Sequence, residues 1–236
     1  AGRDRTIRGS PAGPLGRHGG ADPLANERWR GTAQQIARDR HARAGRSLQN
    51  VANRPKIVAF GDSLTAGFGL SEKESYPYLL QEKLKADGYD FEVVNAGVSG
   101  DTSLGGLERS DWVLNQENAK ILILELGAND LLRGVPVARM KDNLDKIIRK
   151  AKARNLQILL CGMLAPPTMG VEYQRDFTMA FPDLATEHKV EFLPFLLENV
   201  ALKKELNQAD GIHPNAAGAK IMADNIYKAL KPMLSK

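Results

Sequence analysis

Beyond residue 54 the chain contains two histidines, and one of them, His213, follows an aspartate by three residues in Asp210-Gly211-Ile212-His213-Pro214-Asn215. In a tight loop this spacing lets the carboxylate reach imidazole Nδ1, which fixes the tautomer and leaves Nε2 free to take a proton. A serine hydroxyl is a weak nucleophile near neutral pH and needs such a base beside it. Ser63 is the candidate, in Gly61-Asp62-Ser63-Leu64-Thr65 directly after the apolar run Ile57-Val58-Ala59-Phe60. Both blocks also admit a conformational reading. A serine in a strand-to-helix turn is usually a cap, and Asp-Gly followed by His-Pro-Asn would also serve to end one segment and open a helix. His188, in Thr186-Glu187-His188-Lys189 at the end of an amphipathic segment, reads as a solvated helix-end histidine and is the weaker base.

Acyl transfer also needs donors aimed at the developing oxyanion. Two further blocks follow apolar runs: Asn95-Ala96-Gly97-Val98-Ser99-Gly100-Asp101-Thr102 and Gly127-Ala128-Asn129-Asp130. Gly97 would let its N–H approach a substrate without a Cβ in the way, and the Asn129 amide would supply a second donor. Each has an ordinary turn-forming explanation, so their coincidence at strand ends carries the argument. Asp62, Asp101 and Asp130 are dispersed among turns and read as loop hydrogen-bonding groups rather than metal ligands. No metal or cofactor is required by this constellation. Cys161, the lone cysteine, reads as a buried small hydrophobe and excludes an intrachain disulfide. The Gly-x-Ser-x-Gly elbow of ordinary α/β-hydrolases is absent, because Thr65 occupies its last position.

The elements that must position these groups are legible as alternating periods. Lys56 to Phe60, Phe91 to Asn95, Ile121 to Leu126, Leu156 to Cys161 and Val190 to Leu193 are apolar runs of strand length. Between them lie helical patterns. One opens at Ser75 with Pro77 in its first turn, turns Leu79, Leu80 and Leu84 inward and ends at Gly88. Others place Val137, Met140, Leu144, Ile147, Ile148 and Ala151, and then Ile221, Met222, Ile226, Ala229 and Leu230, at a period near 3.6. Such alternation predicts an α/β fold with a five-stranded parallel sheet, helices on both faces and a site beyond the carboxyl ends of the strands.

The four blocks, Gly61-Asp62-Ser63-Leu64, the Gly97 block, Gly127-Ala128-Asn129-Asp130 and Asp210-Gly211-Ile212-His213, resemble those of the GDSL, or SGNH, hydrolases in the family's order. The similarity covers about residues 55 to 236 and is greatest to the bacterial multifunctional thioesterase, arylesterase and lysophospholipase branch. It implies a flavodoxin-like three-layer α/β/α sandwich of strand order 2-1-3-4-5. It also implies a nucleophilic Ser63, a triad completed by Asp210 and His213, and an oxyanion hole of the Ser63 N–H, the Gly97 N–H and Asn129. The expected reaction is hydrolysis of carboxylic esters, extending to thioesters or lysophospholipids, through an acyl-enzyme. Loop Leu164 to Val171 is expected to shape the acyl pocket, with Met169 and Val171 facing the chain. A carbohydrate O-deacetylase would share the triad, whereas an inactive flavodoxin-like binding module, anchored to an anionic surface by its Arg-rich tail, would lack one of its members.

Charge divides the chain in two. Residues 1–54 hold 11 Arg, no Lys and four acids, a formal +7, while the remainder sums to −2. The overall +5 therefore belongs to an Arg- and Gly-rich extension that reads as disordered, with a short basic helix conceivable from Thr32 to Asn50. The remaining stretch of roughly 180 residues is long enough to bury about 70% of its unfolded surface without staples. It shows no basic stripe, so nucleic acid is not an expected partner and a small ester is. No apolar run of 18 residues suggests a membrane span, and the first residues lack the apolar stretch of a signal peptide. Members of the resembled branch typically carry a short export signal, so the compartment stays open, as does the oligomeric state.

Overall fold

The computed structural model describes Arg38 and residues 53–234. The expectations for residues 1–54, disorder and a basic helix, lie outside the described residues apart from Arg38, an exposed helical position, and residues 53 and 54. The chain divides after Ala52, and all that follows concerns the unit Asn53–Lys236.

Five strands, β1 (Lys56–Gly61), β2 (Glu92–Gly97), β3 (Ala119–Glu125), β4 (Gln157–Cys161) and β5 (Glu191–Leu193), pair in parallel in the order β2-β1-β3-β4-β5. Their bounds fall within two residues of the apolar runs. Residues Ile57 to Phe60 and Ile121 to Leu124 are buried throughout because parallel strands are covered on both faces. Among the described residues, seven α-helices connect or follow them: α1 (Ser63–Ala66), α2 (Tyr76–Ala86), α3 (Ser103–Leu114), α4 (Ala128–Leu132), α5 (Val137–Ala153), α6 (Val171–His188) and α7 (Ala216–Leu230). Helices α2 and α7 pack together, and α5 packs against both α3 and α6, giving the three-layer sandwich. Burial of each large side chain such as Phe60, Phe177 or Phe181 contributes about 1.5–3 kcal/mol. No helix among the described residues is long and apolar enough to cross a membrane.

Register fixes the layout of the site. Gly61 pairs with Gly97 on one side and Glu125 on the other, so β1, β2 and β3 end level and release their loops at one edge. Ser75 does stand at the N-cap of α2, but its hydroxyl donates to Glu72 O (2.7 Å) instead of capping. Two helices exceed the sequence expectation. Helix α3 has Gly105 and Gly106 in its first turns, and the 18-residue α6 contains Pro182, so each carries residues that ordinarily argue against helix. Burial of Val113 and Leu114 in α3, and of Phe177, Phe181 and Leu184 in α6, overrides those propensities.

Candidate active site

Ser63 is the first residue of α1, two residues past β1. Asp62 caps that helix, its Oδ1 accepting from Leu64 N (3.0 Å), which leaves the Ser63 hydroxyl free for another partner. That partner is His213: its Nε2 lies 3.0 Å from Ser63 Oγ, and its Nδ1 lies 2.7 Å from Asp210 Oδ2. The second Asp210 oxygen accepts from the backbone N–H groups of Ile212 and His213, both at 3.0 Å. These bonds hold the Asp210 carboxyl at about pKa 2, first through the His213 N–H, then through its imidazole and the Ile212 N–H. The loop is also a helix start, but another residue does the capping. Asn215 Oδ1 accepts from Ala217 N and Gly218 N at the start of α7, so Asp210 is left to the histidine. The Phe68 ring lies 4.6 Å from the imidazole and covers one side of it.

The oxyanion expectation needs one correction and one refinement. Gly97 still belongs to β2, and its N–H donates to Asn95 Oδ1 (3.0 Å), away from the serine. Its missing side chain serves packing, because a Cβ there would collide with the Ala66 N and the Thr65 carbonyl carbon of α1. Gly100, three residues on, lines the cleft together with Ser63 and Asn129. It has φ +85°, a conformation that favours glycine, and its N–H has no acceptor among the described residues. The sequence block Asn95 to Thr102 holds both glycines, and the signal that separates them is strand length: β2 consumes Gly97, whereas Ser99-Gly100-Asp101 forms the turn before the Thr102 cap of α3. Asn129 does lie beside Ser63 in the cleft, yet both hydrogens of its amide are engaged, by Asp62 Oδ2 (3.0 Å) and Asp101 O (2.9 Å).

Below the serine turn sits a buried acidic pair. Asp62 and Glu125 are both inaccessible to solvent, and Glu125 Oε2 accepts from Thr65 Oγ1 (2.7 Å) and Asp62 N (3.2 Å). Burial raises Asp62 to about pKa 6, against the opposing pull of the Leu64 N–H and the Asn129 amide. Burial, followed by the Asp62 charge, drives Glu125 well above the usual carboxylate range. The remaining acids named from sequence are engaged by protein donors: Asp101 Oδ2 receives Arg109 Nε (2.6 Å), and Asp130 receives the N–H and hydroxyl of Ser103, both at 2.6 Å. Cys161 is buried at the end of β4, and that burial pushes its thiol up.

His188 departs from its expected solvated setting. It ends α6 but is only 6% exposed, with Nε2 at 2.7 Å from Asp145 Oδ1 on α5. Lys152 from the same helix caps the His188 carbonyl (2.8 Å), so two α5 side chains bury what a helix-end position alone would leave wet.

The cleft continues from the Ser63–His213 pair into a cavity of about 540 Å³ walled by Leu131, Met163, Leu164, Phe195, Leu197 and Ala201 among others. Met169 and Val171 do not reach it. Val171 opens α6 at 82% exposure, and the part of the expected loop that lines the cavity is Leu164, Ala165 and Pro166. Beyond Leu64, Phe68 and Ile212 beside the Ser63–His213 pair, the apolar wall comes instead from α4, the segment after β4, and residues 195–202 after β5.

A parallel three-layer sandwich of this strand order, with a serine after β1 hydrogen-bonded to a histidine–aspartate loop before the last helix, defines the class of α/β hydrolytic folds without a Gly-x-Ser-x-Gly elbow. The chain belongs to the GDSL-like Lipase/Acylhydrolase family, whose model matches residues 59–221. It is similar to the esterase TesA of Pseudomonas aeruginosa, with 39% identity over 178 residues covering 75% of this chain and 89% of that protein. It is also similar to the thioesterase 1/protease 1/lysophospholipase L1 of Escherichia coli strain K12, with 38% identity over 179 residues covering 76% and 85%. Among solved structures, the psychrotrophic esterase EstA from a Pseudoalteromonas species, inhibited by monoethylphosphonate, superposes with a TM-score of 0.72 at 35% identity, over 75% of this chain and 97% of that one.

Proposed function

We propose that this chain is a serine esterase that hydrolyses carboxylic esters of short to medium acyl chains through an acyl-enzyme, and that residues 55–236 form its catalytic domain. The observation that carries the reading is the continuous hydrogen-bonded line Ser63 Oγ, His213, Asp210 opening into an apolar cavity. His213 Nε2 takes the Ser63 proton as Oγ attacks the ester carbonyl, and Asp210, ionised at neutral pH, stabilises the imidazolium that forms. The oxyanion is received by the N–H groups of Ser63 and Gly100 and by the Asn129 amide, one of whose hydrogens is then shared with it rather than held by Asp62 or Asp101 alone. His213 returns the proton to the leaving alkoxide, and a water activated by the same imidazole releases the acid. The similar proteins are named for esterase, thioesterase and lysophospholipase activities, and the apolar cavity suits an acyl chain better than a sugar ring.

Hydrolysis of p-nitrophenyl esters from acetate to palmitate, in EDTA, by the intact chain and by Ser63→Ala tests reaction and nucleophile together. The expected outcome is turnover that persists in EDTA, favours short to medium chains and falls about 10⁴-fold or more in the variant, by analogy with triad deletions. Equal rates in the two proteins would remove Ser63 from the mechanism.

A further inference from the structure

Arg109 lies on α3, outside the hydrogen-bonded triad, yet its guanidinium bonds the ends of β1 and β2 and the turn that follows β2, all close to Ser63. It is 20% exposed and makes three directed bonds to three separate chain segments: Nε to Asp101 Oδ2 (2.6 Å), Nη1 to Ala96 O (2.8 Å) and Nη2 to Gly61 O (3.0 Å). The Phe60 ring packs against its face, 4.6 Å from Cζ. Gly61 ends β1 and immediately precedes Asp62-Ser63. Ala96 is in the last turn of pleat before β2 gives way to the Gly100 loop. Asp101 follows Gly100, and its own carbonyl accepts from the Asn129 amide (2.9 Å). Each of the three oxyanion donors is thus within a few residues, or one hydrogen bond, of an atom that this one side chain grips.

We propose that Arg109 is a positioning residue for the oxyanion site, holding the ends of β1 and β2 and the Gly100–Asp101 turn at the mutual spacing in which Ser63 N–H, Gly100 N–H and the Asn129 amide converge. The inference rests on the esterase reading above. A rigid planar fork is suited to this, since it presents several N–H groups at fixed angles to acceptors on different segments. Lysine carries the charge but is a single flexible point, so it satisfies Asp101 or one carbonyl and leaves the others free to drift. Misplacement of a reacting centre by about 1 Å is enough to cost about 100-fold in rate, while ground-state binding of the acyl chain in the cavity is untouched.

The experiment measures kcat, KM and thermal midpoint on a p-nitrophenyl ester for the intact chain, Arg109→Lys, Arg109→Ala with and without added ethylguanidinium, Asp101→Asn and Ser63→Ala. Expected are a kcat lowered about 10- to 100-fold in Arg109→Lys with KM changed less than about threefold, a smaller fall of the same kind in Asp101→Asn, and partial recovery of kcat in Arg109→Ala when the guanidinium compound is added. A kcat that falls only in proportion to the unfolded fraction, or a loss carried in KM, overturns the inference. If Arg109→Lys and Arg109→Ala do not fold, Asp101→Asn decides: unchanged kcat in that folded variant also overturns it. A fully active Ser63→Ala instead sinks the esterase mechanism itself, so the two failures are told apart.

Discussion

Asp210 and Asp62 are aspartates on either side of one serine, and their surroundings push them in opposite directions. Three N–H donors hold Asp210 down at about 2, so its contribution to stability is present above the ordinary carboxylate value of 3.8 and is lost as pH falls toward 2. Burial raises Asp62 to about 6 from the same ordinary value. The folded state therefore binds the Asp62 proton more tightly than the unfolded chain does, and stability declines as pH rises from about 4 to 6. Asp62→Asn removes that dependence. The difference in thermal midpoint, variant minus parent, is expected to grow by about 5 °C in favour of the variant between pH 4 and pH 7.5. Its activity should fall nevertheless, because an amide NH₂ placed at Oδ2 would face the Asn129 NH₂. Thermal unfolding across that range checks the first half, and a difference that shrinks with rising pH would contradict it. The two glycines of the second block separate packing from chemistry in a similar way. A Cβ at Gly97 runs into the backbone of α1, so Gly97→Ala should cost about 1–3 kcal/mol of stability. At Gly100 a Cβ meets nothing nearer than Arg133 Nη2 at 3.7 Å, so Gly100→Ala costs only the left-handed strain of about 1 kcal/mol while disturbing the donor beside Ser63. Denaturant titrations paired with kcat should show the first variant losing mainly stability and the second mainly rate.

At the scale of elements, strands were readable because buried parallel strands are nearly continuous apolar runs, and the turns after them inherit the chemistry. Position after a strand makes Ser63 a candidate, and the Asp210–His213 spacing together with the resemblance of four blocks to one family joins the three residues. What stayed hidden depended on how far a strand runs or what lies across from a helix end. Gly97 departs from its expected place because no apolar signal marks β2 as continuing through Asn95-Ala96-Gly97. His188 is dry rather than solvated because Asp145 and Lys152 of α5 meet it, a contact between helices that leaves no local signal in the sequence. Met169 and Val171 miss the cavity because α6 begins at Val171 and withdraws it. The segment after β5 carries no comparable sequence signal, and it holds the most telling apolar residue. Leu202 lines the cleft at 98% exposure with φ +63°, a conformation costly for a side chain with Cβ. Strain and exposed apolar surface at one cleft residue point to substrate contact. Leu202→Asn, which tolerates that backbone, should raise stability by up to about 1 kcal/mol while lowering kcat/KM for the longer p-nitrophenyl esters more than for the acetate. A uniform change across the ester series would deny Leu202 a part in chain recognition.

For the molecule as a whole, the charge division carries the argument. The Arg-rich first quarter has a formal +7 and the rest −2, so the high isoelectric point of 9.3 belongs to the first quarter and not to the stretch that carries Ser63, Asp210 and His213. The family match begins at residue 59, and every side chain of the Ser63–His213–Asp210 line, the Arg109 grip and the apolar cavity lies in the unit Asn53–Lys236. A chain starting at residue 55 is therefore expected to keep kcat and KM on an uncharged ester within about twofold at moderate salt, where long-range fields are screened beyond roughly 8–10 Å. With an anionic ester at low salt the outcome should differ. Removal of 11 arginines against four acids takes away most of the attraction that steers a negative substrate, so kcat/KM should fall in the shortened chain and the difference should vanish as salt is raised. Steady-state kinetics of both chains on matched neutral and anionic esters, at two salt concentrations, decide this. A loss of turnover on the neutral ester would instead place part of the catalytic apparatus in the first quarter.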